Sequence, residues 1–219
     1  MKTILHCTIA VFALAAGAAQ AQQAGQWMGR VGVTRISPHV SSGNLTAPSL
    51  PGTQADISAD TELSGGITYM VTDNWSLDFP LALPFKHDIV GAGAIAGAGK
   101  IGDVKALPIT LFGQYRFGAP GAKFRPYLGA GPTYAKFYHE RSTGVLSALT
   151  AGSPTTLSVQ SKLALSVEAG ATMALNERWF LDAMVAKTFL KNRTTLSTGQ
   201  TLSIRSDPLT LALGVGYRF

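Results

Sequence analysis

An eight-stranded antiparallel up-and-down β-barrel that crosses a membrane is the fold this sequence predicts, on three observations. Stretches of roughly ten residues alternate between apolar and polar or small side chains, as strands with lipid on one face and a lumen on the other require. No run beyond residue 21 approaches the roughly 18 apolar residues of a spanning helix. The connections between the alternating stretches are by turns short and long.

The first 21 residues stand apart from this pattern. Lys2 gives a positive start, Thr8 to Ala19 is a short apolar run, and Ala19-Gln20-Ala21 is a small-residue cleavage signal. Residues 1–21 are therefore expected to be a signal peptide, and residues 22–219 the barrel domain. An uncleaved anchor helix is the alternative, but the run is too short to span. Cys7 falls in the leader, so the exported part has no cysteine and needs neither disulfides nor thiolate metal sites. Charged residues make up 14% of the chain, against about 25% in soluble domains. The net charge of +6 is spread without blocks, which argues against nucleic acid as a partner. A membrane protein without a spanning helix has to close its sheet, because lipid offers no partner to a free edge.

The elements follow in order. Trp27 to Ile36 reads as the first strand. In the second, Ile57, Ala59, Leu63, Ile67, Tyr69 and Val71 share one face, opposed by Ser58, Asp60, Glu62, Ser64 and Thr68. In the third, Trp75, Leu77, Phe79, Leu81 and Leu83 alternate with Ser76, Asp78 and Ala82. In the fourth, Leu107, Ile109, Leu111, Tyr115 and Phe117 alternate with Thr110, Gln114 and Arg116. Phe124 to Phe137 reads as the fifth, its facing left open because Pro126 and Pro132 interrupt it. In the sixth, Leu163, Leu165, Val167, Ala169 and Met173 oppose Lys162, Ser166, Glu168 and Thr172. Trp179 to Leu190 is the seventh, with Trp179, Leu181, Ala183 and Val185 outward. The last is the cleanest: Leu209, Leu211, Leu213, Val215, Tyr217 and Phe219 oppose Thr210, Ala212, Gly214, Gly216 and Arg218.

Short turns are expected near Thr72 to Asn74, Gly118 to Lys123 and Asn176 to Arg178. Long loops are expected over Ser37 to Asp56, Phe85 to Asp103, Arg141 to Ser158 and Lys191 to Ser203. Short periplasmic turns and long outer loops are the asymmetry of bacterial outer-membrane barrels. Trp27, Trp75, Phe124 and Trp179 open odd strands, while Tyr217 and Phe219 close the last. Tyr69, Tyr115 and Phe117 end other even strands at the same level. One aromatic girdle at the periplasmic water–lipid boundary accounts for all of them. A soluble sandwich with core aromatics does not explain why they gather at one end.

The terminal Val215-Gly-Tyr-Arg-Phe219 resembles the recognition signal of outer-membrane barrels. More narrowly, the chain resembles the OmpW family, which includes the AlkL-type alkane-uptake barrels. The stretches that carry this are Val31-Gly-Val-Thr-Arg-Ile-Ser-Pro38, Tyr69-Met-Val-Thr-Asp-Asn-Trp75, Pro84-Phe-Lys-His-Asp-Ile89, Leu107-Pro108, Arg125-Pro-Tyr-Leu-Gly-Ala-Gly131 and Asp207-Pro208. Pro80 and the Gly/Ala-rich Gly91 to Gly99 depart from the family pattern. The resemblance implies a narrow pore in the bacterial outer membrane for passive uptake of small hydrophobic molecules, which leave sideways through the wall. It also implies that barrel-assembly machinery reads Phe219.

The residues themselves suggest how such a pore is built. Arg30, Asp78, Arg116, Asp182 and Arg218 point inward near the periplasmic end and are expected to form an ionic plug, since buried charges need partners. Glu62 and Glu168 sit higher, within reach of Lys162 or Arg116. An apolar funnel is expected above, from Ile36, Ala82, Pro84, Ala106, Pro108 and Leu190 with Phe85 and Ile89. Pro80, Pro84 and Pro108 cannot donate ladder hydrogen bonds and mark a candidate lateral exit.

Other chemistry finds little support. His39, His87 and His139 fall in or beside outer loops, without the spacing of a zinc site, so neither metal nor cofactor is expected. His39 and Ser41 have an H-x-S spacing, with Glu140 as an available carboxylate, but a hydrolase needs all three within hydrogen-bond reach. In Gly91 to Lys100, Ile101 follows the lysine where a phosphate loop needs Ser or Thr. The chain is thus expected not to be an enzyme. A structural or adhesion barrel with a closed interior and partner-binding loops is the alternative function, and it predicts a charged network through the full height. A closed barrel has no edge demanding a partner, so a monomer surrounded by outer-membrane lipid is expected.

Overall fold

The computed structural model describes residues 22–150 and 154–219. The leader assigned to residues 1–21, Cys7 included, lies outside the described residues. The strands are β1 (Trp27–Ser37), β2 (Ser41–Ser42), β3 (Thr53–Ile57), β4 (Asp60–Met70), β5 (Trp75–Ala82), β6 (Phe85–Gly93), β7 (Lys100–Thr110), β8 (Phe112–Arg116) and β9 (Phe124–Ser142). The helix α1 (Gly144–Leu149) follows, then β10 (Leu157–Val159), β11 (Lys162–Ala174), β12 (Trp179–Phe189), β13 (Lys191–Leu196), β14 (Thr201–Arg205) and β15 (Leu209–Arg218).

Eight of these close a barrel in the order β1-β4-β5-β8-β9-β11-β12-β15, and β15 pairs back on β1, Met28 opposite Arg218 and Ser37 opposite Leu209. All pairs are antiparallel. The wall faces follow the alternation of the sequence. Val31, Leu63, Leu81, Leu128, Leu163 and Leu213 are exposed, whereas Thr68, Ser76, Gln114, Thr133, Ser166 and Thr172 are buried inside. The facing of β9, open at the sequence level, is settled by its even residues. Phe124, Pro126, Leu128, Pro132 and Tyr134 point outward, so Arg125 and Tyr127 point in.

The long connections are not loops but extensions of the wall. The segment expected as a loop from Phe85 to Asp103 is the hairpin β6–β7, and that from Lys191 to Ser203 is largely the hairpin β13–β14. Strand β3 adds to β6, and β2 to β14; α1 and β10 lie in the stretch expected as a loop from Arg141. The alternation carries past the lipid boundary because these hairpins have an apolar side to bury. Ala55, Ile89, Ile101, Val104, Leu146, Leu157, Leu202 and Ile204 form a second core at the long-loop end.

Three strands exchange faces on the way up. In β4 the even residues face the lumen, but in β3 it is Thr53, Ala55 and Ile57. Ile57, expected outward with Leu63, therefore lines the interior. The flip falls at Ser58–Ala59, between the two strands. Leu83 and Pro84 do the same between β5 and β6, so Phe85, His87 and Ile89 turn inward. Gln160 and Ser161 do it between β10 and β11.

Candidate functional site

At the short-turn end, aromatic rings stand in directly opposed cross-strand pairs. Trp27 meets Tyr69 with centroids 4.8 Å apart, Trp75 meets Tyr115 at 5.2 Å and Trp179 meets Tyr217 at 5.0 Å. Phe219 packs on Tyr217 at 5.3 Å, and Phe124 is exposed beside them, opposite Met173.

Inside that end lies a buried polar network. Arg30 donates to both carboxylate oxygens of Asp78, at 2.5 and 2.8 Å, and Thr68 Oγ1 donates to Oδ1 at 2.5 Å. Arg30 Nε lies 3.7 Å from Asp182, whose other neighbour is the Tyr127 hydroxyl, donating at 3.2 Å. Tyr127 presses on Gly170, where an added Cβ would sit 2.5 Å from the Tyr127 Oη. These groups bring together three of the five residues expected in the plug. Arg116 is adjacent but reaches no carboxylate. It donates to Gln114 Oε1 at 2.7 Å and Ser76 Oγ at 3.0 Å, its guanidinium over the Tyr127 ring at 4.7 Å, and its Nη1 has no hydrogen-bond partner among the described residues. Arg218 stands apart, donating to the Glu177 carbonyl at 3.2 Å and stacking on Phe180. Glu168 accepts from Gln114 Nε2 at 2.7 Å and pairs with neither Lys162 nor Arg116; among the described residues Glu62 forms no ion pair either.

The sequence did not single out Arg125, which is wholly buried and ties the short turns together. It donates to the carbonyls of Gln22 at 3.0 Å and Asp73 at 2.7 Å. The signal was present: Phe124, Pro126 and Leu128 alternate, which assigns Arg125 and Tyr127 to the lumen. Gln22 also closes this floor, donating to Thr172 Oγ1 at 2.9 Å. Above Arg30 and Asp182 the lumen leaves a void of about 20 Å³, room for about one water.

Higher up, a chain of hydroxyls runs along the inner wall over the adjacent strands β7, β9, β11 and β12, Thr110 to Thr133 at 2.8 Å, Thr133 to Ser166 at 2.6 Å and Ser166 to Thr188 at 2.7 Å. The interior chemistry changes there. Above it opens a cavity of about 160 Å³ with no charged side chain in its wall. Ile36, Ile89, Pro108 and Leu190 line it, as does Ala106. Pro84, Phe85 and Ala82 do not line it, although Phe85 is fully buried and stacks on His87. The hairpins supply further walls, among them Leu157, Leu202 and Ile204.

His87, placed by the sequence in or beside an outer loop, is buried in β6 and lines this cavity. It lies beyond Leu83 and Ile109, the last lipid-facing residues of the neighbouring wall, and so outside the membrane-spanning segments. Its Nδ1 donates to the Ser58 carbonyl at 2.8 Å. Burial pushes the imidazole below its ordinary value, opposed by that bond and by Asp60 and Asp88. His39 and Ser41 are exposed and share no hydrogen bond, while Glu140 accepts from the backbone of Val159, so the three do not assemble.

The wall beside the cavity has a gap. Strands β5 and β8 pair from Trp75–Tyr115 to Asp78–Phe112, and pairing resumes only at Phe85–Ala106 between β6 and β7. Phe79 to Pro84 on one side and Leu107 to Leu111 on the other share no rung. Leu83 donates away from the gap to Leu63, and Leu111 donates away to Pro132. Successive residues in a strand point their N–H groups to opposite neighbours. The groups facing across the gap are therefore those of residues 80, 82, 108 and 110, with residue 84 at the slip of faces just above them. Pro80 and Pro108 occupy two of those places, Pro84 stands at the slip, and none of the three has an N–H to give.

Comparison with known proteins agrees with this architecture. The model of the OmpW family matches residues 23–219. Outer membrane protein W of Vibrio cholerae serotype O1 is 32% identical over 97% of this chain and 98% of its own. Outer membrane protein AlkL of Ectopseudomonas oleovorans is 26% identical over 89% of this chain and 83% of its own. The crystal structure of the outer membrane protein OprG from Pseudomonas aeruginosa superposes with a TM-score of 0.82 at 29% identity, covering 91% of this chain and 98% of that one. The chain belongs to the OmpW family of β-barrels and resides in the bacterial outer membrane.

Proposed function

We propose that this barrel admits small hydrophobic molecules passively and releases them sideways into the membrane. The observation that carries this reading is the aliphatic cavity, closed below by the polar network and bordered by the proline-lined gap. Pro108 lines the cavity and also faces the gap, so the two are contiguous. A solute entering between the outer hairpins meets hydrocarbon side chains, finds the lumen beneath blocked by Arg30, Asp78 and Asp182, and has the unpaired wall beside it. The apolar cavity suits uncharged solutes, since an ion would forfeit its hydration without a partner. No covalent chemistry is needed for this role. On the same reading the barrel works as a monomer, and barrel-assembly machinery recognises Phe219.

The test restores the missing rungs. In the double variant Pro84→Ala/Pro108→Ala, entry of labelled n-octane into cells is expected to slow several-fold at equal surface abundance. Equal entry rates would remove the lateral exit. Equal rates in cells with and without the protein would remove the uptake function and favour a closed adhesion barrel.

A further inference from the structure

Just above the lipid-facing belt, the outer wall carries cations on β9 and β11 and on the extensions β6, β7, β13 and β14. Lys86, Lys105, Lys136, Lys162, Lys191 and Arg205 are all exposed. Lys86, Lys136, Lys162 and Lys191 stand one to three residues beyond an exposed apolar or aromatic residue of the belt, namely Leu83, Tyr134, Leu163 and Phe189, and Lys105 stands four beyond Ile109. The register sets them side by side. Lys86 is directly opposite Lys105, and Lys191 directly opposite Arg205. Lys136 pairs with Leu107, two residues from Lys105, and Lys162 pairs with Ala135, next to Lys136.

Like charges directly opposed across two strands repel. The next outward rung of the same hairpin shows how such repulsion is relieved within the chain. Asp88 is opposite Asp103, and Lys100 lies between them at 2.7 and 3.1 Å. The lysine rung has no such relief: among the described residues, none of the six cations forms an ion pair, and Lys136 has only the Tyr138 ring at 5.9 Å. The aromatic girdle marks the other boundary of the belt, so the collar falls at the depth of the outer-leaflet headgroups. An anion held at that depth, on a ring that diffuses with the membrane, is a phosphate of the surrounding lipid.

We propose that these six residues form a binding collar for the phosphates of phosphorylated glycolipid headgroups in the outer leaflet. The collar is independent of the cavity and of what passes through it. Its purpose is to exchange cation–cation repulsion for lysine–phosphate contacts, packing lipid tightly around the outer wall.

The test uses the full-length barrel in zwitterionic detergent micelles, titrated with diphosphorylated lipid A and read by native mass spectrometry. Lipid A is expected to remain bound, and monophosphorylated lipid A to bind more weakly. Retention should fall roughly fivefold for each charge removed in Lys86→Gln, Lys105→Gln and Lys136→Gln. It should be kept in Lys86→Arg/Lys105→Arg and unaffected by Lys100→Gln, and it should weaken with salt. Heat-dependent gel migration reports whether each variant is folded. Equal binding of the two lipids by the native protein overturns the proposal, whatever the variants do. Undiminished retention in folded glutamine variants overturns it too.

Discussion

Asp78 accepts two hydrogen bonds from Arg30 and one from Thr68 in a site closed to solvent. Removing one partner of a buried ion pair leaves the other charge uncompensated, at a cost of about 3–5 kcal/mol. Asp78→Asn should lower barrel stability by about that much, as measured by urea unfolding followed on gels. Arg30→Met/Asp78→Leu/Asp182→Leu should be less damaging than the single change, because the whole ion triad is removed and none of its charges is orphaned. A single variant as stable as the native protein would show that the pair is not holding the wall. His87 acts through protonation. Its pKa is lowered on folding from 6.5, so the folded state prefers the neutral ring. The stabilisation is present above pH 6.5 and is lost as the pH falls through the lowered folded value. The urea midpoint should therefore drop as the medium is acidified, and less steeply in His87→Gln. Matching slopes would exclude His87 as the source. At this scale the sequence was only half legible. The inward charges could be named from alternation, but partner choice depends on geometry across the lumen. Arg116 was expected among carboxylates and instead sits with Gln114, Ser76 and Tyr127.

The strands of the membrane belt were legible because lipid on one side and polar groups on the other leave a period-two signature at every position. That signature was lost where it reversed. At Ser58–Ala59 and Leu83–Pro84 the chain slips by one residue, and the side that faced lipid below faces the second core above. Period alone does not say which side is which once lipid is no longer the reference, so β6 looked like part of a loop and Ile57 looked lipid-facing. The cavity wall they form makes a prediction at the same scale. Ile89→Asn places an amide among Ile101, Val104 and Leu202. It should reduce octane entry several-fold while the membrane belt stays folded on heat-modifiable gels. Full uptake by this variant would mean that solutes bypass the cavity.

Across the whole molecule, two rings bracket the hydrocarbon slab: Trp27, Trp75 and Trp179 with their tyrosines at one rim, and the cationic collar at the other. Because the three tryptophans belong to one girdle, each single-tryptophan variant should be quenched to a similar extent by lipids brominated at a given acyl depth. The strongest quenching should come from bromine near the headgroup. Unequal depths would mean that the barrel sits tilted or that the girdle is not a membrane boundary.

The reversal of faces between β5 and β6 has one more consequence, on the uptake reading. Below it the protein is greasy outside and wet within; above it, the arrangement is inverted. An oily guest is thus taken out of water into a protein-made droplet before it meets the bilayer. Passing from droplet to membrane exchanges one hydrocarbon surrounding for another, with little change in solvation free energy. The barrier that remains is mechanical, the parting of two strands that three imino acids have already left unlaced.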